Sequence, residues 1–429
     1  MKTFYKLLVV TLVAVTTNNF VWFALTYWAY LNTKSVISTS ILAGVWLTIS
    51  IFTANWFGSL IDHHRKKTIL AGSGIVTFIL FSAGLIIFLT SPANSFSTVA
   101  SAWFWLFILI VLLGVVAGSI YNIAIPTLVA FLVPEDKHDR ANGLFGTVIG
   151  ASFAITSVAS GIAIAFSNMS FILLCGLVAN IISIISLLLI NIPEAKIIHN
   201  PGVRKNIDPK GTFKIVKAIP GLMSLIFFST FNNFLGGVFF ALMDAYGLSL
   251  MSVQTWGILW GFLSLGFILG GLYIAKKGLG SIPLRTLFRA NIATWTVCIF
   301  FAVQPSILLL AIGIFVWIFL SPFIEAIEQT IFQKVVSKER LGRVFGFAHS
   351  IEQAASPITA FFIGPIAQFF FIPFMTTGKG AELIGSWFGT GPGRGIALVF
   401  MLSGIIGLTV ALIAMHSRFY KLLSDEYKK

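Results

Sequence analysis

Charge is scarce in this chain: Asp, Glu, Lys and Arg make up 10% of its 429 residues, against about a quarter in a typical soluble domain. Acids are scarcer still, 14 against 28 basic residues. There are two cysteines, Cys175 and Cys298, both inside apolar runs, which leaves no disulfide framework and no cysteine metal site. No Gly-rich phosphate loop occurs, so ATP has no recognisable seat. Neither a nucleophile–base pair nor a cluster of metal ligands nor an extramembrane domain is visible, which argues against an enzyme or a receptor. No cofactor or metal is expected.

What the chain has is apolar surface. Hydrophobic residues form 57% of it, 43 of them Phe, and its mean hydropathy is +0.96, more than a soluble core of this length could bury. Continuous apolar stretches of roughly 20 residues, the length of a membrane-crossing helix, recur between short polar breaks. Twelve spans are expected, near 7–31, 37–61, 68–90, 103–131, 142–167, 169–191, 219–243, 252–275, 283–303, 306–333, 343–371 and 394–416. A β-barrel would alternate apolar and polar residues over about ten positions, whereas "LCGLVANIISIISLLLI" is continuously apolar. The expected fold is therefore all-α, integral to the membrane. The first run lacks a clear small-residue cleavage site and continues past Asn18 and Asn19, so it is taken as a span and not as a signal peptide.

A net charge of +14 would suggest nucleic acid in a soluble protein, but the basic residues lie in alternate loops. With the N-terminus, every second loop and the C-terminus placed on one side, 25 of the 28 fall there; the other side holds Lys34, Lys379 and Arg394. That asymmetry places both termini in the cytoplasm of a multi-pass cell-membrane protein. Nucleic acid is not an expected partner; lipid is.

The one long polar stretch, residues 193–217, separates six spans from six. The expected organisation is a bundle over 1–192, a cytoplasmic linker over 193–218 and a second bundle over 219–429. Internal similarity supports duplication. "TNNFVWFAL" from Thr17 pairs with "FNNFLGGVFFAL" from Phe231, setting Asn18 and Asn19 against Asn232 and Asn233. A shift of 203 positions aligns "TLVAFLVPEDKHDRANG" with "TIFQKVVSKERLGRVFG". Duplicated bundles with a substrate site between them are a common transporter plan.

"GSLIDHHRKK", residues 58–67, places six ionisable side chains in ten positions between two spans. It resembles the signature of the major facilitator superfamily: Gly58, Leu60, Asp62, Lys66, Lys67 and Leu70 match it, while His63 stands where Arg is preferred and Arg65 where Gly is. The resemblance implies a twelve-helix transporter of two six-helix pseudo-repeats, in which Gly58 permits close approach to span eleven. It also implies that Asp62 acts as a cytoplasmic gate at that span's N-terminus, marked here by Gly342 and Arg343; an acid there meets unpaired N–H groups and the helix dipole. The "VPEDKHDRANG" and "VSKERLGRVFG" segments most resemble the branch containing macrolide-efflux proteins and the enterobactin exporter. Span four has no intramembrane Arg and span five lacks the Gly-Pro antiporter signature, so coupling to protons is less firmly implied than the fold.

Ionisable residues within spans are costly and mark function. Glu325, Glu328 and Glu352 lie well inside spans ten and eleven, roughly 14, 9 and 14 Å along the helix from Lys334, Lys334 and Arg343 at about 1.5 Å per residue. Ser321, Glu325, Glu328 and Gln329 share one helical face; His349, Glu352, Gln353 and Ser356 share another. These stripes suit a wet proton path through Glu325, Glu328, Glu352 and His349, or hydrogen bonding between helices. Asn18, Asn19, Asn232 and Asn233 sit where the family lines its cavity, and serve either cargo or interhelical bonds worth about 0.6 kcal/mol. Trp22 and Trp260 offer stacking surfaces or packing. The Gly-rich outer loop, with Leu383, Ile384, Trp387 and Phe388, reads as a short amphipathic segment.

The expected function is monomeric, secondary active transport of a small amphipathic, drug-like molecule by alternating access, with export and proton coupling. A proton-driven importer, a siderophore or lipid cargo, and sodium coupling fit the same residues.

Overall fold

The computed structural model describes residues 2–92, 94–133, 138–192, 209–280, 282–336 and 338–428, and every regular element among them is helical. Among the described residues, eleven stretches are long and apolar enough to cross a membrane. The expected ninth span is also a helix, Pro283–Phe300, but its first turns carry Arg285 and Arg289. Three expected spans are broken. The fourth divides into α4 (Ala102–Gly118) and α5 (Tyr121–Leu132), the eighth into α10 (Val253–Leu263) and α11 (Leu265–Lys277). The eleventh, α14 (Lys338–Ile366), passes after Pro365 through a wide π turn, Ala367–Phe371, into α15 (Ile372–Thr376).

Helix starts follow side-chain chemistry. Ser35 accepts the N–H of Ile37, Asn168 that of Phe171 and Ser306 that of Leu309, each supplying an oxygen to a donor with no helical partner. The Gly-rich loop before α17 does fold into a helix, α16 (Lys379–Phe388), with Gly380 and Phe388 buried and Leu383 and Trp387 exposed. Residues 193–208 of the linker lie outside the described part; its end forms α8 (Pro209–Ala218), anchored by buried Val216.

Two compact units emerge. The first comprises Met1–Ser38, Trp46–Val203 and Ser252–Phe262. In it α1 (Lys2–Thr33) packs on α6 (His138–Phe166) and α7 (Met169–Leu189), and α3 (Lys66–Thr90) on α4 and α7. Its core includes Leu7, Phe57, Leu70, Tyr121, Leu128 and Leu187. The segment from α10 belongs here through close backbone approach: an added Cβ at Gly257 would stand 2.3 Å from the carbonyl oxygen of Ser157, and one at Gly161 2.6 Å from that of Val253.

The second unit comprises Thr39–Val45, Arg204–Met251 and Leu263–Lys429. Here α9 (Leu222–Leu250) packs most intimately on α14, α12 (Pro283–Phe300) on α17 (Pro392–His416), and α13 (Ile307–Val335) on α11 and α12. Gly237 permits the first contact, since a Cβ there would lie 2.5 Å from the carbonyl oxygen of Ser356. The segment Thr39–Val45, from α2 (Val36–His63), places Gly44 against the ring of Phe361. The exchange is reciprocal: the 214-residue offset that carries Asn18 to Asn232 carries 39–45 to 253–259. Outward faces stay apolar, with Leu189 82% and Phe166 81% exposed, a surface suited to lipid.

Candidate functional site

A cavity of about 470 Å³ opens within the second unit, between α9, α12, α13 and α14. Both sequence stripes meet on its wall: Ser321, Glu325, Glu328 and Gln329 from α13, and His349, Glu352 and Gln353 from α14. Asn232 and Asn233 join them from α9. Ser356 is the exception in its stripe. Its hydroxyl donates to the backbone carbonyl of Asn233 at 2.9 Å and so ties α14 to α9 behind the cavity.

The acids sit in different surroundings. Ser229 Oγ, on α9, donates to Glu328 Oε1 at 2.6 Å. Glu328 and Glu352 both face the cavity, from α13 and α14. Glu352 is 7% exposed, and its Oε1 is buried without a donor. Glu325 is open to the cavity and has no hydrogen-bond partner among the described residues.

Around them the wall is aromatic and amide-rich. Asn232 spends both ends of its side chain locally, donating to the carbonyl of Phe228 at 2.8 Å and accepting the indole N–H of Trp295 at 2.7 Å. Trp295 in turn lies against Gly407 of α17, where an added Cβ would fall 2.3 Å from its ring. Asn291 and Trp317 complete the wall from α12 and α13. Sequence reasoning missed Ser229, Asn291, Trp295 and Trp317. For Ser229 the signal was present, since it precedes Asn232 and Asn233 by one helical turn on the same face.

The other sequence candidates lie elsewhere. Asn18 donates to the carbonyl of Val115 at 2.7 Å, binding α1 to α4, and Asn19 donates to Ser152 Oγ on α6 at 3.3 Å. Trp22 packs on Trp46 at 5.1 Å between ring centres. None of these three lines the cavity. Lys67 caps α7, its Nζ donating to the carbonyls of Leu188 and Ile190 at 2.8 and 2.7 Å, where a cation also favours the helix dipole. Lys66 opens α3. For the gate residues, the surroundings of Gly58 and the side chains of Asp62 and Arg343 lie outside the described part. Because α14 begins at Lys338, its unpaired N–H groups precede Gly342 and Arg343, the expected terminus.

Outside the cavity wall, Arg394 of α17 is 4% exposed. Its guanidinium donates to the carbonyls of Ala302 and Val303 at the end of α12 and to Tyr246 Oη of α9, and it lies 4.0 Å from the centre of the Phe388 ring. It knits the ends of four helices.

The family model described as Major Facilitator Superfamily matches residues 7–360. The chain belongs to that superfamily and is a multi-pass membrane transporter, not an enzyme. Macrolide efflux protein A of Enterococcus faecalis is 22% identical over 354 residues, covering 76% of this chain and 99% of the relative. Its namesake from Streptococcus pyogenes is 21% identical over 327 residues, covering 70% and 73%. Among solved structures, the nucleoside transporter NupG superposes with a TM-score of 0.72 at 12% identity, over 97% of this chain and 100% of that one. A bacterial homologue of the iron transporter ferroportin, in its inward-facing state, gives 0.68 at 13%, over 97% and 99%.

Proposed function

We propose that this transporter exports a small amphipathic, drug-like compound across the cell membrane, driven by protons entering through the acids of the C-terminal cavity. The observation that carries the reading is the meeting of Glu325, Glu328 and Glu352 on one aromatic-walled cavity. A carboxyl that is neutral when protonated and charged when not changes what the cavity holds, so proton and cargo compete for it. The similarity to macrolide efflux proteins favours outward movement. In the rest of the reading the termini are cytoplasmic, the chain works as a monomer, and Gly58, Asp62, Lys66, Lys67 and Arg343 form the cytoplasmic gate. Asp62→Asn then slows cycling while cargo binding is retained.

Accumulation of a fluorescent amphipathic cation and of a labelled macrolide in efflux-deficient cells tests this directly. Lower accumulation with the protein, restored by a protonophore, is the expected result. Raised accumulation would make the protein an importer, and loss of the effect on sodium removal would make sodium the coupling ion.

A further inference from the structure

The aromatic part of the cavity wall is backed by a helix that does not itself reach the cavity. Phe239, Trp295 and Trp317 all line it, with Phe239 6.1 Å from Trp295 and 6.0 Å from Trp317 between ring centres. Among the described residues, none of α17 is on the wall. One face of α17 nevertheless stands behind the rings, because Phe400, Gly404 and Gly407 recur at helical spacing. Phe400 stacks on Phe239 at 4.8 Å and 9°. Gly404 receives the backbone of α12, since an added Cβ would lie 2.8 Å from the amide nitrogen of Ile299. Gly407 receives the indole of Trp295: a Cβ there would lie 2.3, 2.6 and 2.7 Å from Cδ2, Cε2 and Cε3, where the two rings fuse.

The indole has one direction in which to yield. Its N–H is held by Asn232 Oδ1 at 2.7 Å, and Asn232 is itself tied to the carbonyl of Phe228 at 2.8 Å. Phe239 stands beside it. Behind it α12 and α17 already meet closely, one turn away, at Gly404. The remaining side is the cavity. Trp295 is 5% exposed, so in its present seat it intrudes little. A close-packed interior cannot absorb a 2.3 Å overlap by compression, so a side chain at Gly407 drives the ring inward and narrows the cavity.

We infer that Gly407 is a positioning residue for cargo selection: by leaving bare backbone behind Trp295 it holds the indole back, and so fixes the bulk of the molecule that the cavity admits. The inference rests on the reading above that cargo binds in this cavity, and its first test needs no cargo.

That test gauges the room in the cavity of the purified full-length protein. With Cys175→Ser and Cys298→Ala as background, Gly236→Cys places a single thiol on the wall, where an added Cβ meets nothing within 4 Å. The reaction rates of methyl and benzyl methanethiosulfonate are then compared. Adding Gly407→Ala should slow the benzyl reagent about threefold or more relative to the methyl one, and adding Trp295→Phe as well should restore the ratio. Trp295→Phe alone, which leaves the glycine contacts as they are, should raise the relative benzyl rate. Gly404→Ala is the control, because its Cβ meets the backbone of α12 and not the indole; it should lower the melting temperature with the ratio unmoved. An unmoved ratio in Gly407→Ala overturns the inference, as does an equal shift in Gly404→Ala; should Gly407→Ala not fold, an unmoved ratio in Trp295→Phe overturns it.

The second test reads selection. Methyltriphenylphosphonium and tetraphenylphosphonium carry the same charge and differ by a phenyl group in place of a methyl. Gly407→Ala should weaken binding of the larger compound on the order of tenfold and of the smaller far less, with Trp295→Phe restoring the larger in the double variant. Equal losses for the two compounds overturn the role in selection. Should the wild type bind neither compound while the thiol ratio shifts as expected, the drug-like reading of the cargo fails and the seat of the indole stands.

Discussion

The two units carry paired asparagines at equivalent places in their first helices and use them differently. In the first unit Asn18 and Asn19 are spent on holding α1 to α4 and α6, and the void beside Asn18 measures about 10 Å³. In the second, Asn232 and Asn233 border a cavity of about 470 Å³ with three glutamates on its wall. The same pair of amides thus packs helices in one unit and borders a cavity in the other. An amide is adaptable in this way because it can close an interhelical gap or face one, and the neighbouring helices decide which.

The sharpest way to break the comparison is at the acids. Glu352→Gln or Glu328→Gln should reduce uphill accumulation to the leak of protein-free vesicles while downhill exchange of cargo persists; full uphill transport in both would make the second unit as structural as the first. Next in size is the contact that shapes the cavity. Gly237→Val forces a side chain onto the backbone of α14 and should cost about 1–3 kcal/mol, seen as a lower melting temperature in detergent. Gly257→Val makes the same test in the first unit, and a similar loss would show that both depend on close glycine packing.

Smaller again is Arg394→Met. It removes the donors that hold the end of α12, at about 1–3 kcal/mol for the carbonyls left behind, and proteolysis of the loop carrying α16 should report it. The smallest effect belongs to the asparagines. Asn18→Ala should cost about 0.6 kcal/mol with cargo KM unchanged. Asn232→Ala has a comparable cost but frees the Trp295 indole into the cavity and should shift KM. If Asn18→Ala shifts KM as much as Asn232→Ala does, the division between the units is wrong.

The apolar runs, their number and the placement of charge between them are properties of the chain, and they determine an all-helical membrane protein because lipid admits only helices and closed barrels and continuously apolar runs do not suit a barrel. Helical spacing likewise placed Glu325 with Glu328 and Glu352 with His349, since side chains three and four apart share a face in any helix. Which faces meet is not written in spacing. The Ser229–Glu328 bond joins residues 99 positions apart and the Trp295–Asn232 bond residues 63 apart, and both depend on α9 meeting α12, α13 and α14. The same holds for the exchanged segments, where Gly257 leaves room for the carbonyl of Ser157 and Gly44 for the ring of Phe361. Sequence by itself determined the membrane, the helices and the acids on each of them; tertiary packing alone decided that one unit closes on its polar groups and the other leaves room among them.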